Sequence, residues 1–468
     1  MNRERLAAIL NGRVARDPLL RRLRDCAVES ASALYLVGGP VRDAALGRPS
    51  KDADLTVVRR GAALLQAIKR RFGTGGFRFR KRGITTWRFA TACGEVDIVD
   101  AVRRGLDGDL RRRELTINAM AYDLTGRRVV DPLGGLKDLR TKCLRAPGAD
   151  TFREDPARCL RAARFLAELP GFSLEHETRR RLIEQAPRLR RVAVERIREE
   201  LTKLLGSPQP HDGLSAVDAW GLLDPLLPEL SPLQDCAAGR RRPDVWRHTV
   251  KTIEMSATRS RMPSFATVRD RGELPLLRWT LLLHDIAKPA TFALEADKPT
   301  FHGHEELGAK MADALLRRLR FDAGTRHRIT QLIRFHLRPG HLADAGAPPR
   351  GLRRLARDAG DDLPLLCLHA ACDARGSGAG TGGAARWRRM SRVLRSLPAV
   401  QARLRKLPAS PLLSGADILN ATGLPPGPRI GQLLRELAEA RDDGAITTRR
   451  QALAYVKKAS RYLNSARI

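Results

Sequence analysis

Several things are missing from this 468-residue chain, and each absence excludes something. There is no apolar run of the roughly 20 residues needed to cross a membrane, so a membrane location is not expected. The opening MNRERLAAILNGRVARD lacks the continuous apolar centre of a secretory leader and reads as a short basic amphipathic helix. Cysteine is sparse and odd in number, seven scattered residues with no C-x-x-C pair. That argues against a disulfide framework or a zinc knuckle and fits reduced thiols in a cytoplasm. No internal repeat of fixed period is visible. Acidic residues are few beside basic ones, 52 Asp+Glu against 86 Lys+Arg, a net charge of +34. An excess of that size attracts polyanions, and a nucleic-acid partner follows from it more readily than none. The hydrophobic share of 43% is ordinary, and the length implies roughly three or four domains rather than one core.

What is present concentrates first in Leu36–Val58, LVGGPVRDAALGRPSKDADLTVV. Gly38 and Gly39 close an apolar, strand-like run, Arg42 follows, and Asp52 and Asp54 flank Ala53 before a second apolar run. Glycine lets backbone N–H groups approach phosphate oxygens, and arginine forks onto them. Carboxylates at i and i+2 of a strand point to one face, where they can share Mg²⁺ ions that clamp attacking and leaving oxygens. Taken singly these pieces make a tight turn and an acidic strand end; in this order they suit a nucleoside triphosphate.

The arrangement resembles the head domain of the class II tRNA nucleotidyltransferase and bacterial poly(A) polymerase family, whose motif reads G-G-x-V-R-D followed by D-x-D. The resemblance implies an α+β fold, with a polymerase-β-like nucleotidyltransferase head, an all-α neck, an HD helical domain and a helical tail. It also implies that Asp52 and Asp54 hold catalytic Mg²⁺. A third carboxylate is expected from a neighbouring strand. Gly94–Ala101, GEVDIVDA, alternates in strand fashion and offers Glu95 and Asp97 on one face, and the residues alone leave both open.

Arg111–Ala121, RRRELTINAMA, matches the family's second motif, R-R-D-F-T-x-N-A. Arg113 aligns with an arginine that contacts the nucleotide, and Glu114 stands where the family has an aspartate for the ribose hydroxyl. Asp131–Leu139, DPLGGLKDL, matches a further motif whose double glycine suits a structural hinge. Arg153–Phe165, REDPARCLRAARF, resembles E-D-x-x-R. On a continuous helix Asp155 and Arg158 would lie side by side at i and i+3. Such a pair can read a Watson–Crick edge without a template, and the resemblance assigns it to CTP and ATP, with Glu154 in support. Arg161 and Arg164 continue the stride towards the phosphates. Relatives that add a terminal A carry a longer flexible loop where this chain has only Val99–Leu110, VDAVRRGLDGDL, which favours addition of C.

A second constellation begins at His248 in WRHT, continues through adjacent His284 and Asp285 in WTLLLHDIAK, His304 and His336, and ends at Asp373 in ACDARG. Imidazoles and carboxylates from distant helices suit a divalent transition metal. The order resembles the HD phosphohydrolase superfamily. That implies His248, His284, Asp285 and Asp373 as core ligands, with His304 and His336 additional. His302 and His341 fall outside either pattern.

The expected division is an N-terminal helical extension over 1–32, the head over 33–145, the neck over 146–207, a helical body with the HD domain over 208–375, and a tail over 376–468. The tail opens on a glycine-rich connection, GSGAGTGG, and continues with helices that resemble family tails binding RNA, Thr447 capping the last. The functional expectation is addition of CMP and AMP to the 3′ end of tRNA, with phosphoester hydrolysis at RNA ends by the HD domain. The rivals are a poly(A) polymerase and an HD hydrolase with an inert head.

Overall fold

The computed structural model describes residues 1–50, 53–73, 75–81, 84–91, 94–236, 244–258, 264–296, 298–377, 383–405, 411–442 and 445–464. Asp52 and residues 378–382 of the glycine-rich connection lie outside them. The chain divides into two compact units, Met1–Ser231 and Pro232–Ile468.

The first unit opens with helices α1 (Arg3–Arg16) and α2 (Pro18–Glu29), the second started by Pro18 and capped by Asp17, which accepts the Leu19 and Leu20 N–H groups at 2.9 and 3.1 Å. Next come β1 (Ala33–Val37), α3 (Gly39–Ala45), β2 (Asp54–Arg59), α4 (Gly61–Phe72), β3 (Phe77–Lys81), β4 (Ile84–Thr91) and β5 (Gly94–Asp100). The head closes with α5 (Gly105–Arg111), β6 (Ala121–Asp123), β7 (Val129–Val130) and α6 (Gly135–Thr141). The strands form one sheet in the order β3-β4-β5-β2-β1-β6-β7, antiparallel throughout except for the parallel pair β2·β5.

Alternation along these strands separates two faces. Leu34, Leu36, Leu55, Val57, Phe89, Val96 and Ile98 belong to one buried cluster with Leu6, Leu10, Leu20, Leu23, Leu64 and Ile68 of α1, α2 and α4. Of the residues between them, Asp54, Thr86, Arg88, Asp97 and Val99 line a cavity on the opposite face. The neck follows as short α7 (Thr151–Glu154), α8 (Ala157–Glu168), α9 (His176–Gln185), α10 (Val194–Gly206) and α11 (Pro210–Ala219), with Ile197, Leu201 and Leu204 buried at three- and four-residue spacing along α10.

Among its described residues the second unit is helical apart from a two-stranded hairpin, Ala293–Glu295 with Lys298–Thr300. The terminal helices Gly415–Thr422, Pro428–Asp442 and Arg449–Asn464 share a small core of Leu413, Ile418, Leu433 and Val456. Thr447 is not the cap of the last helix. The next residue, Thr448, accepts the Gln451 N–H at 3.3 Å, one position later than the sequence suggested. No helix among the described residues is long and apolar enough to cross a membrane.

Ile98 is fully buried at the centre of the head core. Ile98→Ala should lower stability by about 2–5 kcal/mol, read from the shift in the urea midpoint of the head at unchanged slope. An unmoved midpoint would show that this face of the sheet is not the core.

Candidate functional site

The parallel pairing of β2 with β5 puts Asp54 and Asp97 opposite each other, so both carboxylates stand on the cavity face. Both line a cavity of about 530 Å³ together with Arg112, Arg113, Asp155, Arg161, Arg196 and Glu200. Glu95 shares the face of Asp97 but lies one step along β5, exposed and opposite Ala90, and is not in the cavity lining. Asp97 accepts a bidentate fork from Arg88 across the sheet, at 2.8 and 2.7 Å.

Gly38 has φ +76°, and a Cβ there would sit 2.4 Å from the Arg113 guanidinium. With ψ at −130°, that backbone is one L side chains rarely adopt, which favours glycine. Arg42 sits on α3, where its guanidinium donates to Asp43 at 2.9 Å and to the Asn118 side-chain oxygen at 2.9 Å, over the Phe165 ring. The Asn118 amide in turn donates to Glu114 at 2.8 Å. Arg161 lies 3.8 Å from Glu114 and donates to Glu200 at 2.9 Å, and Glu200 also holds Arg164 at 2.9 Å. Burial alone would raise the Glu114 carboxyl, but Arg161 and Arg113 outweigh it and hold it below the usual range.

Asp109, on α5, had no signal in the sequence. It is fully buried, accepts from Thr56 of β2 at 3.1 Å, and holds Arg112 at 2.7 Å and Arg113 at 3.4 Å. Burial opposes its charge, yet Arg113 and Arg112 keep the carboxyl below its ordinary value. It therefore ties the second motif to β2.

The neck motif departs from the continuous helix expected. Asp155 ends α7 in an extended conformation, φ −144° and ψ 93°, and α8 begins only beyond Pro156. A residue before proline is pushed out of the α region, which breaks the helix there. Asp155 and Arg158 are thus not one helical face, although both line a second cavity with Arg104, Arg111 and Arg112. Asp155 is gripped by both arms of Arg196 on α10, at 3.0 and 2.7 Å. Arg158 donates to the carbonyls of Thr151, at 2.9 Å, and Arg112. Glu154 is exposed, 3.6 Å from Arg158. Arg164 lies between Glu168 and Glu200 rather than in the lining of the first cavity.

In the second unit, His248 lies on the helix Val245–Ala257, His284 and Asp285 follow Leu274–Leu283, His304 starts His304–Arg318, His336 follows Ala323–Phe335, and Asp373 lies in the last turn of Leu363–Gly376. These six residues converge. His248 Nε2 is 3.0 Å from Asp373 and 3.6 Å from Asp285, and His284 Nε2 is 3.1 Å from Asp285. His304 Nε2 lies 3.6 Å from Asp285 and 3.3 Å from His336 Nε2. Two groups suited to a metal result, His248–His284–Asp285 and Asp285–His304–His336, sharing Asp285.

The ring nitrogens are sorted for that purpose. Nδ1 of His284, His304 and His336 faces the carbonyl of Leu281, Phe301 and Ile333 at 2.8, 2.7 and 2.6 Å. Protonated there, each ring directs an Nε2 lone pair inward. Asp285 Oδ1 is buried without a hydrogen bond, the mark of a ligand atom. Burial pushes His336 down to about 3 and also lowers His304, keeping both rings neutral. Lys288 donates to Asp285 at 2.7 Å. His302 is exposed beside Glu295, outside the cluster. A residue the sequence reading missed is His369, one turn before Asp373: fully buried, both ring nitrogens unpartnered, packed edge-on against His284 and His336 at 5.2 and 5.6 Å.

Comparison with known proteins gives three matching families: the Poly A polymerase head domain over residues 34–145, the probable RNA and SrmB-binding site of polymerase A over 171–234, and the HD domain over 245–374. An A-adding tRNA nucleotidyltransferase of Deinococcus radiodurans is 38% identical over 439 residues, 90% of this chain and 94% of that protein. The chain belongs to the tRNA nucleotidyltransferase family. A second member of the family, the CC-adding enzyme of Thermus thermophilus, is 33% identical over 90% of this chain and 92% of its own length. Among solved structures, the Thermotoga maritima CCA-adding enzyme complexed with tRNA shares the fold, with a TM-score of 0.63 at 20% identity over 95% of this chain and 96% of that one.

Because both metal groups in the second unit pass through Asp285, Asp285→Asn should reduce bound divalent metal about ten-fold or more by equilibrium dialysis, with helix content unchanged. Metal retained at the parent level would contradict the assignment.

Proposed function

We propose that this chain extends the 3′ end of tRNA without a template, transferring CMP from CTP and AMP from ATP and releasing pyrophosphate. The observation that carries the reading is the β2·β5 register, which sets Asp54 beside Asp97 in a cavity that the neck residues Asp155 and Arg161 also line. Asp52, Asp54 and Asp97 would hold Mg²⁺, which supplies positive charge against the charge developing on the phosphoryl oxygens. Asp97 is the third carboxylate in preference to Glu95, on register and on cavity lining.

Gly38, Gly39, Arg42 and Arg113 would receive the triphosphate, and Glu114, steadied by Asn118 and Arg161, the ribose hydroxyl. The Asp155 carboxylate, aimed by Arg196, accepts from a base amino group, and Arg158, anchored on main-chain carbonyls, supplies the donor. Arg161 faces the cavity, while Arg164 serves by holding Glu200. The helical tail would carry the RNA. Free buried thiols such as Cys26 and Cys159 support a cytoplasmic setting.

A second reading is addition of C alone. It is favoured by α5, which fills the short stretch between β5 and the second motif with a seven-residue helix in place of a loop. Incubating tRNA lacking CCA with CTP, ATP or both, and resolving products to one nucleotide, separates the two. Two residues from CTP and a third only with ATP is the expected result. Arrest after two residues supports the second reading, and a long ladder from ATP alone contradicts both.

In the same assay Asp54→Ala and Asp97→Ala should lower kcat about a thousand-fold or more, with Glu95→Ala within about three-fold of the parent. The reverse ranking of Asp97 and Glu95 would overturn the assignment.

For the second unit we propose a divalent transition metal held by His248, His284, Asp285 and Asp373, with His304 and His336 beside it, hydrolysing phosphoesters at RNA ends. When bound, such a metal polarises the phosphoryl group. Asp285→Asn should abolish release of phosphate from a 3′-phosphorylated RNA and leave nucleotide addition intact. Loss of both activities would contradict separate sites.

A further inference from the structure

The strand β3 lies at the edge of the head sheet and carries the sequence Phe77-Arg-Phe-Arg-Lys. Aromatic residues make up 4% of this chain, yet two of them stand here as a stacked pair, ring centroids 6.1 Å apart and 23° between planes. Phe77 is 66% exposed, the highest value among the exposed large apolar residues described. A bare aromatic ring of that kind is unfavourable in water unless something covers it.

The register says what lies beside it. Phe77 is opposite Arg88, Arg88 opposite Asp97, and Asp97 opposite Asp54, one lateral row running from the edge of the sheet to the proposed metal site. The next row runs Phe79, Thr86, Val99, Thr56. Both rings therefore stand on the face of the catalytic carboxylates, and Phe79 lines their cavity. At a strand spacing of about 4.8 Å, three steps put Phe77 about 14 Å from Asp54. That is about four stacked nucleotides at a rise of ~3.4 Å.

Two further features fit a nucleic-acid strand rather than a protein on this face. The Arg88 guanidinium, bonded to Asp97, lies 5.5 Å over the Phe79 ring, joining the pair to the metal-binding carboxylate. Arg112, Arg113 and Lys203 line the same cavity as Phe79, supplying positive charge for a phosphate backbone. The approach to β3 is also fixed. Gly76 has φ +66°, and a Cβ there would come within 2.5 Å of the Phe89 ring, so the turn that delivers Phe77 admits only glycine.

We propose that the Phe77–Phe79 pair is a stacking platform for the unpaired bases at the 3′ end of the RNA being extended, a subsite for the primer distinct from that for the incoming triphosphate. This rests on the reading of the head as an RNA 3′-end nucleotidyltransferase. Stacking on an aromatic side chain is tolerant of base identity, which suits an end whose terminal base changes with each addition.

The test uses the full chain and tRNA lacking CCA. Phe77→Ala should raise KM for the RNA about ten-fold, leaving KM for CTP and kcat within about two-fold, and Phe77→Trp should restore the parent value. A primer whose last four nucleotides are abasic should remove the difference between parent and Phe77→Ala, a result that a merely structural role for Phe77 would not give. An unchanged KM for RNA, an effect that persists with the abasic primer, or a shift confined to KM for CTP would each overturn the proposal. So would a Phe77→Ala chain that changes oligomeric state in sedimentation while binding RNA as before, since the rings would then cover a second copy. Should the parent chain extend no RNA, the activity reading fails; fluorescence anisotropy with the same two RNAs still decides the platform, by a loss of affinity in Phe77→Ala seen only with intact bases.

Discussion

One parallel strand pair organises the head. In a sheet that is otherwise antiparallel, β2 and β5 run side by side in the same direction, and that register alone makes neighbours of Asp54 and Asp97, which are far apart in sequence. Alternation then does two jobs at once. Leu55, Val57, Val96 and Ile98 bury the other face against helices, so a slip of one residue would bury the carboxylates and expose the core. The hydrophobic core thereby fixes the position of the charged site.

Around the carboxylates, charge is arranged as an alternating chain rather than as isolated pairs. Arg42, Asn118, Glu114, Arg161, Glu200 and Arg164 are linked in sequence, and Asp109 holds Arg112 and Arg113 beside Thr56. Each buried carboxylate meets more than one cation, which is the condition under which buried charge is tolerable. Such a chain keeps long arginine side chains in fixed places facing a polyanionic ligand. The histidine–aspartate cluster in the second unit follows a different economy: imidazoles oriented by backbone carbonyls, two of them, His304 and His336, kept neutral by burial, surround a carboxylate that no hydrogen bond satisfies in full.

Much of this was legible in the sequence. Gly38, Gly39, Asp54, Arg113 and the ordered histidines sit in contiguous motifs, where residue type and spacing carry the chemistry. The choice between Glu95 and Asp97 was not legible, because it depends on the partner strand's register. Arg196 and Glu200 were invisible for a similar reason: each meets its partner from a separate helix, with no local pattern to mark it. The break at Asp155 had a signal that the helical reading passed over, since Pro156 disfavours the helix at the residue before it. His369 likewise stands four positions before Asp373, on the same helical face, and the spacing marks it once the metal cluster is known.

By its register with Asp54, Asp97 would complete the metal site proposed for the head. Mn²⁺ titrations followed by electron paramagnetic resonance, in the presence of CTP and in a chain whose second-unit cluster is removed by Asp285→Asn, test it most directly. Asp97→Ala should weaken Mn²⁺ binding about ten-fold or more, while Glu95→Ala should bind as the parent does. Parent-like binding by Asp97→Ala together with loss in Glu95→Ala would contradict it.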